Sequence, residues 1–174
     1  MHPEQSPCSI IRDWSPKDAL TRIEADAAER YRDSGYVPSM WPESTAEDFA
    51  EYQRLGLLWV AVVRGRAAGF AVVDVYGDID HLEELDVMRE HQGCGIGAAL
   101  IRAVLDNARL RAQTAVTLRT FTTTPWSVGL YEKMGFRRWD PSPAPDWLAE
   151  IMRDEITKDL RPQERLSMRH ALGR

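Results

Sequence analysis

The sequence from Val87 to Ala98 reads V-M-R-E-H-Q-G-C-G-I-G-A, and this stretch decides the fold. It follows an apolar-alternating run over His81–Val87 and precedes an amphipathic run over Leu100–Ala112, which predicts a strand, a tight turn and a helix. Three glycines at residues 93 to 97 leave the turn almost without side chains, so its backbone can approach a ligand closely. Because the first turn of a helix has unpaired N–H groups and the positive end of the macrodipole, we predict an anion site for a phosphate or pyrophosphate.

The composition is that of an ordinary globular protein. The chain has 174 residues, of which 44% are hydrophobic and 28% charged, and it predicts a single domain over residues 1–174. The net charge is −5 without a long basic run, so nucleic acid is not an expected partner. No long apolar run and no signal-peptide pattern is found, which predicts a cytoplasmic protein without a membrane partner. The two cysteines, Cys8 and Cys94, have no paired spacing, and no metal site is predicted.

The remaining elements follow from periodicity, capping patterns and turn residues. Ahead of the turn we predict strands at Ile10–Arg12, Leu57–Val63 and Ala67–Val75. We predict helices that start at Ser15 and at Ser44. Beyond the helix that follows the turn we predict Ala115–Phe121 as a strand, Pro125–Met134 as a helix, Phe136–Trp139 as a strand, 148–156 as a helix and Arg165–His170 as a strand. This order predicts an α/β fold of the α+β type, with a mixed, mostly antiparallel central sheet flanked by helices.

A dinucleotide site is one interpretation of the glycine turn. Gly93-x-Gly95-x-x-Ala98 fits the dinucleotide fingerprint with alanine in third place. That fingerprint expects an acid at the end of the next strand, whereas here the strand ends T-L-R-T-F. An oxidoreductase that binds NAD is therefore the weaker interpretation, and a P-loop is excluded because no Gly-Lys-Ser/Thr follows.

Two motifs give a better interpretation. Gln92–Gly97 resembles motif A of the GNAT acyltransferase superfamily, Q/R-x-x-G-x-G/A, and Thr124–Phe136 resembles its motif B, N-x-x-A-x-x-x-Y-x-x-x-G-F. The two motifs have the family's separation and lie in the expected secondary structure. Thr124 stands where the family usually has asparagine, and Arg89 stands where proline is frequent. The chain is identified as a member of the GNAT superfamily, which implies the GNAT fold and an N-acetyltransferase.

The resemblance also implies where acetyl-CoA binds as acyl donor, in a cleft between two splayed parallel strands that end near Val87 and Phe121. The implied pyrophosphate site is formed by the backbone N–H groups of Gln92, Gly93, Cys94, Gly95, Ile96, Gly97 and Ala98. The pantetheine arm is expected to pair with main-chain groups of Leu85, Val87 and Arg89 as an added strand, and to contact Thr124. The N–H at Val87 is expected to stabilise the oxyanion, and Tyr131 is expected to donate a proton to the departing thiolate.

A base is needed because an amine acceptor arrives largely protonated. Glu83 and Glu84 are the candidates, and direct attack in a ternary complex without a metal is expected. Strict strand alternation places Glu83 on one face and Glu84 on the other, so only one of them is expected to face the acceptor. His81 is predicted on the Glu83 face and is a further candidate.

The acceptor itself is not defined by the sequence. A small-molecule or peptide amine is expected to meet the segment Tyr36–Trp41 and the helix around Trp147–Met152. A covalent acyl-enzyme at Cys94 is disfavoured, because the residue lies in the pyrophosphate turn without a histidine and acid to activate it. The alternative function is a non-catalytic acyl-CoA-binding sensor. Analogy with the family makes a homodimer possible.

Overall fold

The computed structural model describes residues 8–33, 35 and 43–173. Its strands are β1 (Ser9–Ile11), β2 (Leu58–Val63), β3 (Arg66–Tyr76), β4 (Ile79–Val87), β5 (Ala115–Phe121), β6 (Arg137–Arg138) and β7 (Arg165–Ala171). Its α-helices are α1 (Asp18–Asp33), α2 (Ala46–Arg54), α3 (Ile96–Leu110), α4 (Pro125–Lys133) and α5 (Asp146–Thr157). Short 3-10 turns cover Arg89–His91 and Pro162–Glu164.

The strands form one sheet in the order β1-β2-β3-β4-β5-β7-β6. Every pair is antiparallel except β4 with β5, which run parallel. The predicted mixed, mostly antiparallel sheet is therefore confirmed. The parallel pairs run from Ile79–Ala115 to Leu82–Leu118, so residues 83–87 of β4 lie beyond the last pair. One edge of β4 is thus left without a strand partner just before the glycine turn.

Both faces of the sheet are covered. On one face α3 packs through buried side chains such as Leu100 and Val104 against a core that includes Trp59. On the other face Leu20 of α1 and Phe49 of α2 join a second core. Burial of each large apolar side chain contributes roughly 1.5–3 kcal/mol, so the two layers hold the central strands rigidly. This rigidity fixes the unpaired edge of β4 in place.

Two helix starts differ from the sequence prediction. The first helix begins at Asp18 rather than at Ser15, and the N–H groups of Ala19 and Leu20 bond the carbonyls of Pro16 and Lys17. The second is capped by Thr45 rather than Ser44, in a reciprocal box in which Thr45 and Asp48 satisfy each other's backbone N–H groups. Within the described residues, no helix combines the length and the apolar character needed to cross a membrane.

Candidate active site

The glycine turn joins β4 to α3 and opens onto a cavity of about 460 Å³. Gly93 and Gly95 have φ angles of 77° and 84°, which is the left-handed region that favours glycine. Gly95 is also the N-cap of α3, so the amides of the first helical turn follow it directly. Members of the predicted phosphate site that line the cavity are Gln92, Gly93, Gly95, Ile96, Gly97 and Ala98. The predicted anion site is thus a concave surface with few side chains.

Gln92 closes the turn against its neighbours. Its Nε2 donates to the carbonyl of Val87 at 2.9 Å, and its Oε1 accepts from Nη1 of Arg30 at 2.7 Å. The Arg30 guanidinium also lies over the Trp126 ring, 4.2 Å from the ring centroid. Arg30 and Lys133 both line the cavity and bring positive charge to it. Sequence reasoning did not identify either residue, because Lys133 stands at an unspecified position of motif B and Arg30 comes from α1.

The unpaired edge of β4 forms a second side of the cavity, through Leu85 and Val87. The N–H of Met88 donates to the carbonyl of Ala68 on β3. Because neighbouring residues of a strand direct their N–H groups to opposite edges, the N–H of Val87 is directed away from β3. This is the edge at which the sequence analysis placed an added strand and an oxyanion donor.

Three residues predicted to bind the cofactor do not line this cavity. The N–H of Arg89 donates to Oδ2 of Asp26 at 2.7 Å, so the predicted main-chain pairing of Arg89 with a pantetheine arm does not fit the structure. The Thr124 hydroxyl is buried and bonds the carbonyl of Phe121 and the hydroxyl of Ser127, so it is engaged within the fold. Cys94 keeps its place in the turn, but its side chain is exposed to solvent.

A second cleft, of about 660 Å³, lies on the other side of Tyr131. The two cavities share four lining residues, which are Tyr31, Leu85, Asp86 and Tyr131. Trp147 and Ile151 of α5 line the second cleft, whereas Met152 is exposed. The predicted acceptor segment Tyr36–Trp41 lies outside the described residues. The shared residues form a junction at which a group bound in one cavity can reach a group bound in the other.

Both candidate bases line the second cleft, contrary to the expectation from strict alternation. Val72 pairs with Glu84 while Val73 pairs with Leu82, so Glu83 is an extra residue in β4. Such a β-bulge shifts the faces of the residues around it. His81, Glu83 and Glu84 consequently line one cleft, and Leu85 lines it too while packing against the core beneath α3. The strict alternation expected for β4 is therefore wrong at Glu83, and both glutamates line the same cleft.

The carboxyl groups of Asp86 at the junction and of Glu84 beside it resist ionisation. Burial, followed by the charge of Asp86, raises the pKa of Glu84 well above its ordinary value. Burial also raises the pKa of Asp86 to about 7, against the opposing effect of its hydrogen bond with Glu84. Two carboxyl groups that share a hydrogen bond need one proton between them. Because the pKa of Glu84 is the more strongly raised, Glu84 carries that proton. Glu83 is 46% exposed and has a pKa raised less strongly, by burial and then by Asp74.

Tyr131 lies on α4 with its ring 5.9 Å from that of Phe136, in an edge-to-face contact. Burial raises the pKa of Tyr131, and the nearby Tyr31 and Asp86 raise it further. The phenol consequently keeps its proton throughout the physiological pH range. A protonated phenol at the junction of two cavities can donate to a group that becomes negatively charged there.

His81 is buried beside these groups. Its Nδ1 lies 2.9 Å from Oγ1 of Thr117, and its Nε2 lies 3.8 Å from a carboxylate oxygen of Glu83. Burial, together with Arg119 and Arg165, lowers the pKa of His81 to about 3. The ring is therefore neutral near pH 7, and an imidazole with so low a pKa is a poor proton acceptor.

Solved structures of N-acetyltransferases share this fold. N-acetylglutamate synthase from Neisseria gonorrhoeae, complexed with coenzyme A and N-acetyl-glutamate, superposes with a TM-score of 0.72 at 16% identity, covering 98% of this chain and 36% of that one. The ribosomal-protein-S18-alanine N-acetyltransferase from Escherichia coli has a TM-score of 0.66 at 18% identity, covering 96% of this chain and 95% of that one. The predicted GNAT fold is confirmed.

A sequence model of the acetyltransferase (GNAT) family matches residues 19–136, and the chain belongs to this family. Among curated relatives, the probable N-acetyltransferase camello from Xenopus tropicalis is 32% identical over 83 residues. That match covers 46% of this chain, and the chain spans 38% of the length of that relative.

Proposed function

We propose that the chain transfers an acetyl group from acetyl-CoA to an amine by direct attack in a ternary complex. The observation that carries the proposal is the junction at Tyr131, where the cavity beside the glycine turn meets the carboxyl-lined cleft. The first cavity fits the diphosphate of a CoA thioester, because the glycine turn and the first residues of α3 line it, and the amides at the start of a helix favour an anion. The second cleft fits the amine, because its carboxylates favour a cation.

Three residues at or beside the junction have a part in the proposed reaction, which are Glu83, Tyr131 and Val87. The acceptor nitrogen attacks the thioester carbonyl carbon, so a C–N bond forms and the C–S bond breaks. Glu83 takes the first proton from the ammonium group before attack. The phenol of Tyr131 gives its proton to the departing thiolate and is restored by the second proton, which the acceptor nitrogen loses as the amide forms. The N–H of Val87 donates to the oxygen that becomes negatively charged during attack. Acetyl-CoA supplies the thioester, and no metal takes part in these steps.

Glu83 is preferred to Glu84 as the base because of their different environments. Glu83 is half exposed in the cleft, so its carboxylate can ionise and exchange protons with solvent. Glu84 holds the proton that it shares with Asp86. A base acts only when ionised, so the rate is expected to rise with pH through the raised pKa of Glu83.

Replacing each glutamate by glutamine separates the two roles. We expect Glu83→Gln to lower kcat/KM at pH 7 by about 10²-fold and to remove the rising limb of the pH profile. Glu84→Gln is expected to change kcat/KM less than threefold, since glutamine resembles the protonated form that Glu84 already has. The measurement is the initial rate of thiol release against pH for both variants. A pH profile that neither substitution alters would contradict the assignment and leave water as the base.

The proposed function is tested first by ligand binding and then by turnover. A ligand at 100 times its dissociation constant stabilises the folded state by about 2.7 kcal/mol, which is a rise in Tm of roughly 5–10 °C for a domain of this size. We expect this rise with acetyl-CoA and with CoA, but not with NAD, and we expect thiol release when an amine is added. CoA binding without thiol release from any amine would favour the non-catalytic sensor.

A further inference from the structure

Two arginines and one glutamate form a buried cluster in the wall of the carboxyl-lined cleft. Arg119 of β5 donates from Nε to both carboxylate oxygens of Glu155 at 2.8 and 2.9 Å, and from Nη1 to Oγ of Ser167 at 2.9 Å. Nε of Arg165 on β7 lies 2.8 Å from the same carboxylate. The exposed fractions of the side chains are 5% for Arg119, 6% for Glu155 and 16% for Arg165. Two positive charges thus face one negative charge, and the cluster has a surplus of positive charge.

The same cluster has guanidinium donors that the fold does not use. Within the described part of the chain, five residues have a buried side-chain nitrogen or oxygen without a hydrogen-bond partner. Two of these atoms are Nη2 of Arg119 and Nε of Arg165, and the other three belong to residues that line neither cavity. The remaining nitrogens of Arg119 are held by Glu155 and Ser167, so Nη2 alone is unsatisfied. A buried donor without a partner costs stability unless a ligand or water satisfies it.

Arg165 is the member of the cluster that a ligand can reach. Its Nη2 donates to the main-chain carbonyl of Arg119 at 3.2 Å, whereas its Nη1 has no hydrogen-bond partner among the described residues. Nη1 is not one of the buried unpartnered atoms, so it is accessible to solvent. The guanidinium lies over the Phe121 ring, 4.5 Å from its centroid, and this contact fixes its plane. A guanidinium held in this way can bind a carboxylate through the nitrogen that remains accessible.

The Arg165 guanidinium lies close to the reacting end of the cleft. The Phe121 ring that it covers is 5.6 Å from the ring of Tyr31, centroid to centroid, and Tyr31 lines the junction. Burial raises the pKa of Tyr131 and of Glu83, and the charge of Arg165 opposes both rises. Arg165 is therefore separated from the junction by one aromatic ring. A small molecule can contact Arg165 while its amine lies beside the thioester.

The carboxyl groups at the reacting end complement the ammonium group of such a molecule. Glu84 and Asp86 share one proton there, and Glu83 is the proposed base. Most other acids of the cleft are engaged by the fold, with Ser44 on Glu24, Tyr52 on Asp74 and Lys158 on Asp154. Negative charge is thus available at the reacting end, and positive charge is available at Arg165. A molecule that has an ammonium group and a carboxylate a few bonds apart matches both.

We propose that the acceptor is an amino acid, whose amine reacts at the junction while its carboxylate binds the guanidinium of Arg165. This proposal rests on the acyl transfer proposed above, and it identifies the substrate class of the same site. Arg119 supplies the second positive charge of the cluster and holds Glu155 in place. Both arginines act in recognition of the acceptor, and neither transfers a proton or the acetyl group.

Sets of three amines that share a carbon skeleton test the need for a carboxylate. The sets are phenylalanine, phenylalaninamide and phenethylamine; leucine, leucinamide and isoamylamine; and lysine, lysinamide and cadaverine. In the set that is used best, we expect kcat/KM from thiol release to be about tenfold or more higher for the amino acid than for its two counterparts. The amide has the less basic amine, so this preference cannot arise from a larger fraction of free amine. Equal or better use of the amide, or thiol release only from amines without a carboxylate, would overturn the proposal.

Substitutions of Arg165 test where the carboxylate binds. We expect Arg165→Gln to lower the ratio of kcat/KM for the amino acid to that for its amide by about tenfold or more. Arg165→Lys should retain part of the ratio, because lysine keeps the charge but lacks the planar fork. A merely structural role would lower both rates alike and leave the ratio unchanged. The matched control is Arg54→Gln, which removes an exposed arginine of α2 that pairs with Glu51. An unchanged ratio in a folded Arg165→Gln protein would mean that the proposal is wrong, and the comparison of amines in the unaltered protein tests it independently of this variant.

Binding of the same amines, measured by calorimetry with saturating CoA, separates this proposal from that of turnover. If no amine releases thiol but an amino acid binds about tenfold or more tightly than its amide, the carboxylate site is supported and the enzyme proposal fails. If thiol is released without any preference for the amino acid, the enzyme proposal is supported and the carboxylate site fails. If neither turnover nor selective binding is found, both proposals are overturned.

Discussion

Replacing Tyr131 by phenylalanine is expected to lower kcat by about 10²-fold or more, because general acid catalysis contributes typically 10²–10⁴-fold. Phenylalanine retains the ring and its contact with Phe136, so the fold and the affinity for CoA should be preserved. The phenol has a raised pKa and keeps its proton across the working range, so the loss should be uniform from roughly pH 6 to 9. The measurement is kcat from thiol release, with the dissociation constant of CoA determined alongside.

Tyr31 provides a matched control for this substitution. Its phenol lines the same junction from α1. Burial and, to a smaller extent, the charge of Asp86 raise the pKa of Tyr31 to about 12. If Tyr131 is the acid, Tyr31→Phe should lower kcat less than threefold. A larger loss in Tyr31→Phe than in Tyr131→Phe would transfer the acid role to Tyr31. A loss below threefold in both variants would mean that the thiolate departs without a tyrosine acid.

The segment from β4 to α3 could be predicted from the sequence because its signals are local. Alternating apolar residues, three glycines and a helical apolar stripe follow each other without interruption, and the structure has a strand, a turn and a helix there. The strand Ala115–Phe121 has the bounds that were predicted. Local patterns were weaker at helix starts: Thr45 caps α2 in place of its neighbour Ser44, and α1 begins three residues after Ser15.

The arrangement of the site depended on information that local patterns do not contain. At the bulge, β4 has one residue more than the facing stretch of β3, which is Glu83. The sequence of one strand does not show where its partner strand has fewer residues. Arg30 and Glu24 reach the two cavities because α1 packs across the sheet. The N–H of Arg89 is taken by Asp26, which is 63 residues earlier in the chain. Tertiary packing sets all of these positions, so the sequence could indicate candidate reacting groups but not their surroundings.

Substitution of Gly95 by valine is expected to raise the dissociation constant of CoA by about 30-fold or more, equivalent to roughly 2 kcal/mol. Gly95 has φ 84° and caps α3. A β-branched residue is strongly disfavoured in this region, so the turn must change its shape. The change would redirect the amides that follow, and these amides form the proposed diphosphate site. The affinity can be measured by calorimetry with CoA, and acetyl-CoA should be affected to the same degree.

Gly65→Val is the control that separates strain from binding. Gly65 has φ 76° in the turn between β2 and β3, where an added Cβ would meet nothing within 4 Å, and it does not line either of the two cavities described above. Both substitutions impose left-handed strain and should lower Tm by similar amounts, but only the one at Gly95 should weaken CoA binding. Equal losses of affinity would mean that global destabilisation causes the effect. If the affinity of Gly95→Val is unchanged, the diphosphate is not held at the start of α3, and the cavity beside the turn must bind a different part of the ligand.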